Sequence, residues 1–212
     1  MAPAPKVTID AARFPRLASY MAALPLGFES YPDCRIKGFY FRESLQALKA
    51  PAEIGAGWPQ PLQDLLAAPP TNSAFMPEVL YCAFRLCVAD HLHMTQPAYE
   101  EWVLGNSRSI YKGFVGKLIM AFASKAMLLD AAGSRWAMIH RGSTFQATTV
   151  PGTSINRGVL QFPPHLFNEM ILRGLGGVMK AAFELVEKQP FQLVLVEFND
   201  RMARYEALPP AK

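Results

Sequence analysis

The chain has 212 residues, of which 51% are hydrophobic and 18% charged, and its formal net charge is +4. This length suits one domain with an extension, and the apolar balance allows a sizeable core with apolar surface left for a ligand or partner. The lysines and arginines are scattered without a dense run, which argues against a nucleic-acid-binding protein. An uninterrupted apolar stretch of about 18 residues is missing as well, so no membrane span is expected.

The N-terminal region is predicted to be an extension covering residues 1–30, followed by one domain over 31–208 and a tail over 209–212. A short helix is expected in RFPRLASYMAALPLGFES, ended by Pro25. The opening MAPAPKVTIDAARFPR lacks the charged and apolar parts of a signal peptide. The three cysteines are few and odd in number, which predicts reduced thiols in a cytoplasmic protein.

The next part of the chain is predicted to be helical. In RIKGFYFRESLQALKAP, apolar residues recur at helical spacing, so a helix is expected to end before Pro51. Residues 50–74 are rich in proline and glycine and predict a surface connection with a short helix at PLQDLLAA. Three helices are predicted next: at about 75–92, at TQPAYEEWVL with Thr95 as N-cap, and at about 107–130.

The last third changes to strand patterns. STFQATTV and INRGVLQF are short, β-branched or aromatic, and separated by PGTS, which predicts a hairpin. PPHLFNEMILRGLGGVMKAAFELVEK predicts a central helix with paired prolines at its start, whose glycines permit close approach of another helix or a ligand. FQLVLVEF is apolar on both faces and predicts a covered inner strand. ND predicts a tight turn into RMARYEAL. The order of helices followed by β-β-α-β-β predicts the α+β class, with an antiparallel sheet packed against long helices.

Three parts of the chain carry a family resemblance: RIKGFYFRESLQAL, YKGFVGKLIMAFASKAMLLDAAGSRWAMIHRGSTF, and PHLFNEMILRGLGGVMKAAFE with FQLVLVEFNDRMARYEA. Over residues 35–208 the pattern resembles a paralogous family, expanded in myxobacteria, whose members are mostly of unknown function. The order of elements also resembles the superfamily that contains four-vinyl-reductase-type domains, haem–nitric-oxide-binding domains and TRAPP subunits. The resemblance implies a ligand-binding or assembly fold, often dimeric, with an apolar pocket between helices and sheet. It implies no single activity.

The sequence departs from the haem-binding branch of that superfamily. That branch carries a Tyr-x-Ser-x-Arg motif late in its domain, which binds the haem propionates. The nearest string here is YPDCR, from Tyr31 to Arg35, which lies near the N-terminus and has Asp33 at the serine position. We therefore expect no cofactor, with haem and zinc as the groups left open.

The string CVADHLH, residues 87–93, has two interpretations. On a helix, Cys87, Asp90 and His91 are spaced to share a face, and thiolate, carboxylate and imidazole all bind zinc. A further paired ligand motif is missing, however. In the alternative, Cys87 continues an apolar stripe and His91 lies at a helix C-terminus, where the helix dipole favours a cation. The sequence favours this alternative, so no metal site is predicted.

The leading functional hypothesis is a cytoplasmic, non-enzymatic domain. It would bind a small apolar molecule between long helices and sheet, or use that surface to form a homodimer and dock a protein partner. Methionines and aromatic residues on apolar faces, Met179 and Phe183 among them, could line such a pocket or simply fill the core. The predicted ligand-binding residues are Phe114, Leu118, Phe122, Phe167, Met170, Gly174 and, for an anionic group, Arg141.

The alternative hypothesis is an enzyme that acts on a bulky hydrophobic small molecule in the same pocket. Its one or two polar groups would come from His91, His140, Glu169, Arg141 or Tyr111. Glu169 lies in the first turn of a helix, where the dipole favours it without any function, and would gain interest only if it were buried.

Overall fold

The computed structural model describes residues 7–48, 55–113, 129, 131–151, 153, 156–187 and 192–208. Within these residues the protein combines helices with antiparallel sheets, which confirms the predicted α+β class. The chain divides into two compact units, an N-terminal unit, Met1–Thr95, and a C-terminal unit, Gln96–Lys212. The domain boundaries at residues 30 and 208 stay a prediction.

The N-terminal unit is mainly helical. Its elements are α1 (Pro15–Ala23), a 3₁₀ turn (Gly27–Glu29), β1 (Arg35–Lys37), α2 (Gly38–Ala47), α3 (Gln60–Ala67), β2 (Phe75–Pro77) and α4 (Glu78–His91). Pro15 opens α1, where its missing N–H costs nothing. Helix α4 is buried on nearly every side, and α1 and α3 both pack against it.

The start of α4 differs from the sequence-based expectation. A helix was expected from about residue 75, but Phe75–Pro77 form β2, which pairs antiparallel with β1 and sets Met76 opposite Ile36. The helix therefore begins at Glu78. The reason is non-local, because the partner strand lies about forty residues earlier in the chain.

The C-terminal unit contains the larger sheet. Its described elements are α5 (Gln96–Lys112), α6 (Ala132–Ile139), β3 (His140–Arg141), β4 (Thr144–Thr149), β5 (Asn156–Gln161), α7 (Glu169–Glu187), β6 (Gln192–Phe198) and β7 (Met202–Leu208). Helix α7 packs against α5 and against β6, which agrees with the central place predicted for it.

Helix α5 is longer than predicted. It begins directly after Thr95, as expected, but the separate helices predicted on either side of Gly105 are one helix. A glycine inside a helix costs up to about 1 kcal/mol. Val103 and Ser107 are buried on either side of it, and the Ser107 hydroxyl donates to the Val103 carbonyl at 2.8 Å. The buried face of α5 thus continues past Gly105 without a break. Most of the helix predicted over 107–130 lies outside the described residues.

Two hairpins build the sheet, in the strand order β4-β5-β7-β6. Strands β4 and β5 pair antiparallel from Thr144 opposite Gln161, which confirms the first predicted hairpin. The turn at ND is confirmed as well: the Asn199 side-chain oxygen accepts the backbone N–H groups of Arg201 at 2.8 Å and of Met202 at 2.9 Å. An asparagine that bonds its own turn in this way fixes the register of β6 on β7.

The prediction of an inner strand at FQLVLVEF is wrong. Among the described strands, β6 has β7 alone as a neighbour and stands at the end of the sheet. Val196 and Phe198 are 41% and 42% exposed. An apolar composition predicts that the two faces of a strand are covered. It does not predict the position of the strand in the sheet, which depends on how the other strands pair.

Helix α7 starts later than the paired prolines suggested. It begins at Glu169, and the Asn168 side-chain oxygen accepts the Ile171 N–H at 3.0 Å as a cap. Helix α5 lies beside Gly177 of α7, but the packing there does not require glycine: an added methyl group would make an ordinary contact, 3.6 Å from the Leu104 backbone nitrogen in α5. The Tyr205 ring of β7 lies against the neighbouring glycine, Gly176.

Candidate functional site

An apolar cavity lies between the sheet and the C-terminal half of α7. Its volume is about 20 Å³. Met179 and Phe183, one turn apart on α7, form its helical wall, and both side chains are only half-buried. The other lining residues are Leu129, Phe145, Ala147, Asn156, Arg157, Gly158, Leu193, Tyr205 and Ala207.

Small side chains on the inner face of the sheet create this space. Ala147, Gly158 and Ala207 take up little volume beneath α7. The Phe145 ring lies over Gly158 so closely that an added Cβ would stand 2.6 Å from its Cζ. The sheet therefore presents a shallow apolar floor at this position, with the Phe145 ring as one of its walls.

The polar residues at the cavity are engaged in bonds of their own. The Asn156 side-chain oxygen accepts the Thr149 hydroxyl at 3.0 Å. The Arg157 guanidinium pairs with Glu206 at 2.9 Å. A molecule in the cavity would thus meet mainly hydrocarbon and ring surface, so shape and apolar contact would decide what binds.

The predicted lining residues in α7 and just before it lie deeper than expected. Phe167 and Met170 are 2% and 7% exposed, and the Phe167 ring packs against Phe162 with ring centroids 5.0 Å apart. Neither these two nor the buried Gly174 lines the cavity. Phe114, Leu118 and Phe122 lie outside the described residues. The ligand-binding role of all six stays a prediction.

The sequence contains a signal for the residues that do line the cavity. Met179 and Phe183 are spaced i, i+4 and belong to the wider apolar set noted above. Phe145 and Ala147 alternate onto one face of β4, as strand geometry requires. What the sequence does not reveal is that the two surfaces meet, because this depends on how α7 lies across the sheet.

The catalytic candidates do not line the cavity either. His91 belongs to the N-terminal unit, where its ring meets the Trp58 ring edge-on at 6.1 Å. His140 is buried and stacks on Trp136 with ring centroids 3.8 Å apart. Tyr111 is buried in α5. Their surroundings are those of packed side chains.

The two charged candidates on the C-terminal unit are exposed. The Glu169 side chain is 51% exposed and pairs with Arg173 one turn along α7, at 2.8 Å. Arg141 is exposed in β3. The desolvated carboxylate that would have favoured catalysis is therefore not found at Glu169.

The string CVADHLH forms a structural junction in the N-terminal unit. The Asp90 side chain is fully buried, and its Oδ2 accepts the backbone N–H groups of Arg16 at 3.0 Å and Leu17 at 3.1 Å. Its Oδ1 accepts the Arg16 guanidinium at 2.9 Å. Asp90 thus caps the first turn of α1 from the end of α4. Cys87 is fully buried in the stripe predicted for it.

Metal-ligating side chains are not clustered in the described part of the chain. It contains no group of three or more His, Cys, Asp or Glu side chains placed to hold a metal ion. The three cysteines are free and buried. Burial and the nearby Glu78 raise the pKa of Cys34 to about 11, and burial likewise raises the pKa of Cys82 and of Cys87. A thiol that stays protonated is a poor nucleophile.

A second concavity, the edge groove, lies where α5, α7 and β6 meet and has a volume of about 360 Å³. Its walls carry Glu100 and Glu101 of α5 on one side and Arg173 and Lys180 of α7 on the other. The remaining lining residues are Pro97, Leu104, Gly176, Gly177, Leu193, Val194 and Leu195.

Neither concavity fits a haem group. A cavity of about 20 Å³ holds roughly one water molecule. The edge groove is larger, but the described residues of the two linings include no histidine or cysteine to coordinate iron. Their one phenol, Tyr205, donates its hydroxyl to the Leu172 carbonyl at 2.8 Å. At the YPDCR string, the Arg35 side chain is turned back to the Pro32 carbonyl.

Comparison with known proteins identifies the fold. No protein-family model matches the chain, and no curated protein matches it. Solved structures of H-NOX proteins are similar to it. One, from S. oneidensis in the Fe(II)NO ligation state, is 12% identical with a TM-score of 0.52, and the match covers 82% of this chain and 100% of that one.

Two further solved structures give the same result. A mutant H-NOX domain from Shewanella oneidensis in the Fe(II)CO ligation state is 13% identical, with a TM-score of 0.52, 83% of this chain covered and 100% of that one. A structure from work on haem redox potential and porphyrin distortion is 10% identical, with a TM-score of 0.55, 81% of this chain covered and 98% of that one.

At these identities the likeness shows the fold alone. The predicted resemblance in fold to haem–nitric-oxide-binding domains is confirmed. The resemblance to a myxobacterial paralogous family stays a prediction. No helix in the described ranges is long and apolar enough to cross a membrane.

Proposed function

We propose that the chain is a binding domain for a small apolar molecule, held between the inner face of the sheet and α7. The observation that carries this proposal is the apolar cavity beneath Met179 and Phe183. The two side chains are half-buried, so they can change rotamer without opening the core around Phe167. A ligand larger than one water molecule would take the place of these side chains above Ala147 and Gly158.

Two considerations support binding over catalysis. The described cavity lining contains no histidine and no acidic side chain. His140 and Glu169, the candidate acid–base groups of the C-terminal unit, are engaged with Trp136 and Arg173 instead. An enzyme acting on a bulky hydrophobic molecule would need a polar group at the reacting atoms.

The likeness to H-NOX structures supports a ligand-binding role for this fold but not the same ligand. Those structures are described with haem or with ligands on iron. The described lining of the cavity offers no histidine or cysteine to bind iron, and we propose a metal-free apolar molecule as its occupant. A homodimer and a cytoplasmic location remain part of the proposal.

The proposal is tested first by native mass spectrometry of the purified full chain, which would report a retained small molecule. The second test is titration with N-phenyl-1-naphthylamine, an uncharged fluorescent hydrophobe. We expect saturable binding of one molecule per chain. Ala147→Ile fills the floor of the cavity and should weaken binding at least about tenfold, because the ligand and the added side chain compete for one space.

Ala137→Ile is the matched control. Ala137 is exposed on α6 and lies outside the lining, so this variant should bind the probe as the wild type does. Circular dichroism should show that both variants are folded. Probe binding that does not saturate, or that Ala147→Ile leaves unchanged, would show that the cavity is only a packing gap.

A further inference from the structure

Strand β6 has the composition of a covered strand but an open edge. LVLV is apolar on both faces, which is typical of strands with neighbours on all sides. Yet β7 is its one neighbour among the described strands. Proteins usually protect such an edge with charges or proline, because its unpaired N–H and C=O groups accept another strand. In β6 such protection is confined to the far end of the strand, where Glu197 and a register shift lie beside the exposed Val196 and Phe198, whereas Leu193–Leu195 carry neither charge nor proline.

The open edge of β6 borders the edge groove. Leu193, Val194 and Leu195 are consecutive, and all three line it. Alternate residues of an antiparallel strand direct their N–H and C=O groups away from the paired neighbour, so a run of three must present some of these groups to the groove. Leu104 of α5 and Gly177 of α7 add an apolar surface beside them.

The charges around the groove favour a basic occupant. Arg173 already pairs with Glu169 at 2.8 Å. Lys180 and Arg108 share Glu184, at 3.9 Å and 2.8 Å.

Among the described residues, no cation pairs with Glu100 or Glu101. Glu100 accepts the Gln96 amide at 2.9 Å. Counted over the described residues and with their partners included, the groove has four carboxylates, Glu100, Glu101, Glu169 and Glu184, against three cations, Arg108, Arg173 and Lys180. The uncompensated negative charge lies on the α5 wall, opposite the β6 edge.

We infer that the β6 edge and the edge groove form an acceptor site for an extended segment of another protein. The segment adds to the sheet as a strand beside β6. Its apolar side chains contact Leu104 and Leu193, and a lysine or arginine reaches Glu100 and Glu101. Main-chain hydrogen bonds supply affinity, and the acidic wall supplies the preference for a basic segment.

The test uses two fluorescein-labelled octapeptides with alternating valine and threonine. One carries two lysines, and the other carries glutamate at the same two positions. Fluorescence anisotropy with the full chain should show saturable binding of the lysine peptide and binding at least about tenfold weaker for the glutamate peptide. Amide exchange at Leu193, Val194 and Leu195 should slow when the lysine peptide is bound.

Two variants and one control, Gln146→Lys, locate the binding. Val196→Lys places a charge on the open edge and should abolish binding, whereas Gln146→Lys, on the exposed face of β4 at the opposite end of the sheet, should not. Glu101→Lys changes an exposed side chain of α5 and should reduce the preference for the lysine peptide. This second variant leaves the strand untouched, so it keeps the test valid if Val196→Lys fails to fold.

Three results would overturn the inference. The first is equal binding of both peptides, or binding of neither. The second is lysine-peptide binding that survives Val196→Lys, or a preference for the lysine peptide that Glu101→Lys leaves unchanged. The third is a dimer in sedimentation experiments that Val196→Lys converts to a monomer, since the edge would then be occupied by a second copy of this chain.

Discussion

Removing the Asp90 carboxylate should destabilise the N-terminal unit more than any surface change. Asp90→Ala deletes the acceptor of two backbone N–H groups in the first turn of α1 and of the Arg16 guanidinium. Losing a side-chain cap of a helix costs about 1 kcal/mol, and leaving a buried donor unpaired costs about 1–3 kcal/mol. The Leu17 N–H is buried, so it bears the larger cost.

The exposure of Arg16 to water limits the total loss of stability. The Arg16 side chain is 36% exposed and also donates to the Met94 carbonyl at 2.6 Å, so its charge is not stranded when the carboxylate goes. We therefore expect a loss of about 3 kcal/mol, near the lower end of the range for breaking a buried ion pair. Asp90→Asn keeps an acceptor for the cap and should cost about half as much. Arg16→Ala should cost about 1 kcal/mol.

The assay is urea unfolding followed by circular dichroism, with amide exchange at Arg16 and Leu17 as the local readout. Exchange at these two amides should accelerate in Asp90→Ala before the rest of the N-terminal unit changes. An Asp90→Ala variant within about 0.5 kcal/mol of the wild type would refute the capping role, because that is the range of neutral surface substitutions. Equal losses of stability in Asp90→Ala and Asp90→Asn would show that the helix cap and the ion pair with Arg16 do not contribute separately.

Three more outcomes follow from the structure. Gly177→Ala should leave the fold intact and stabilise α7 by up to about 1 kcal/mol in thermal unfolding, because the added methyl would make only ordinary contacts, 3.6 Å from the Leu104 nitrogen and 3.7 Å from the Glu100 carbonyl oxygen. A lower melting temperature would contradict this. Burial raises the pKa of Cys34 from 9.0 to about 11, so the folded chain keeps this proton to a higher pH than the unfolded chain does. The free energy of unfolding should therefore fall as pH rises from 9 to 11, and it should fall less in Cys34→Ala. Equal slopes of unfolding free energy against pH in the two proteins would contradict this. The purified protein should show no haem absorption band and no stoichiometric iron, and either signal would contradict the cavity chemistry described above.

Local signals in the sequence predicted local structure well. The hairpin turn at Asn199 follows from a side chain that bonds backbone groups two and three residues away. The residue patterns of β4 and β5 predict two strands, and the short connection between them predicts that they pair as a hairpin. The class of the fold follows from the order of such elements, and it is confirmed.

Long-range pairing could not be predicted in the same way. The partner of Asp90 lies 74 residues earlier, so no spacing within CVADHLH reveals the cap. The edge position of β6 depends on β5 choosing β7 as its second neighbour. The cavity residues Met179 and Phe145 are separated by a hairpin and half a helix, and only the crossing of α7 over the sheet brings them together.

The bond from the Tyr205 hydroxyl to the Leu172 carbonyl has a mechanical consequence for binding. The Tyr205 ring also lies against Gly176, so β7 holds α7 at two successive turns and prevents it from sliding along its axis. A shift by one turn, about 5.4 Å, would break both contacts. The helix can therefore pivot at Tyr205 but not translate, and a molecule entering beneath Phe183 would swing only the far end of α7. Distance labels at the two ends of the helix should then report one stationary end and one that moves.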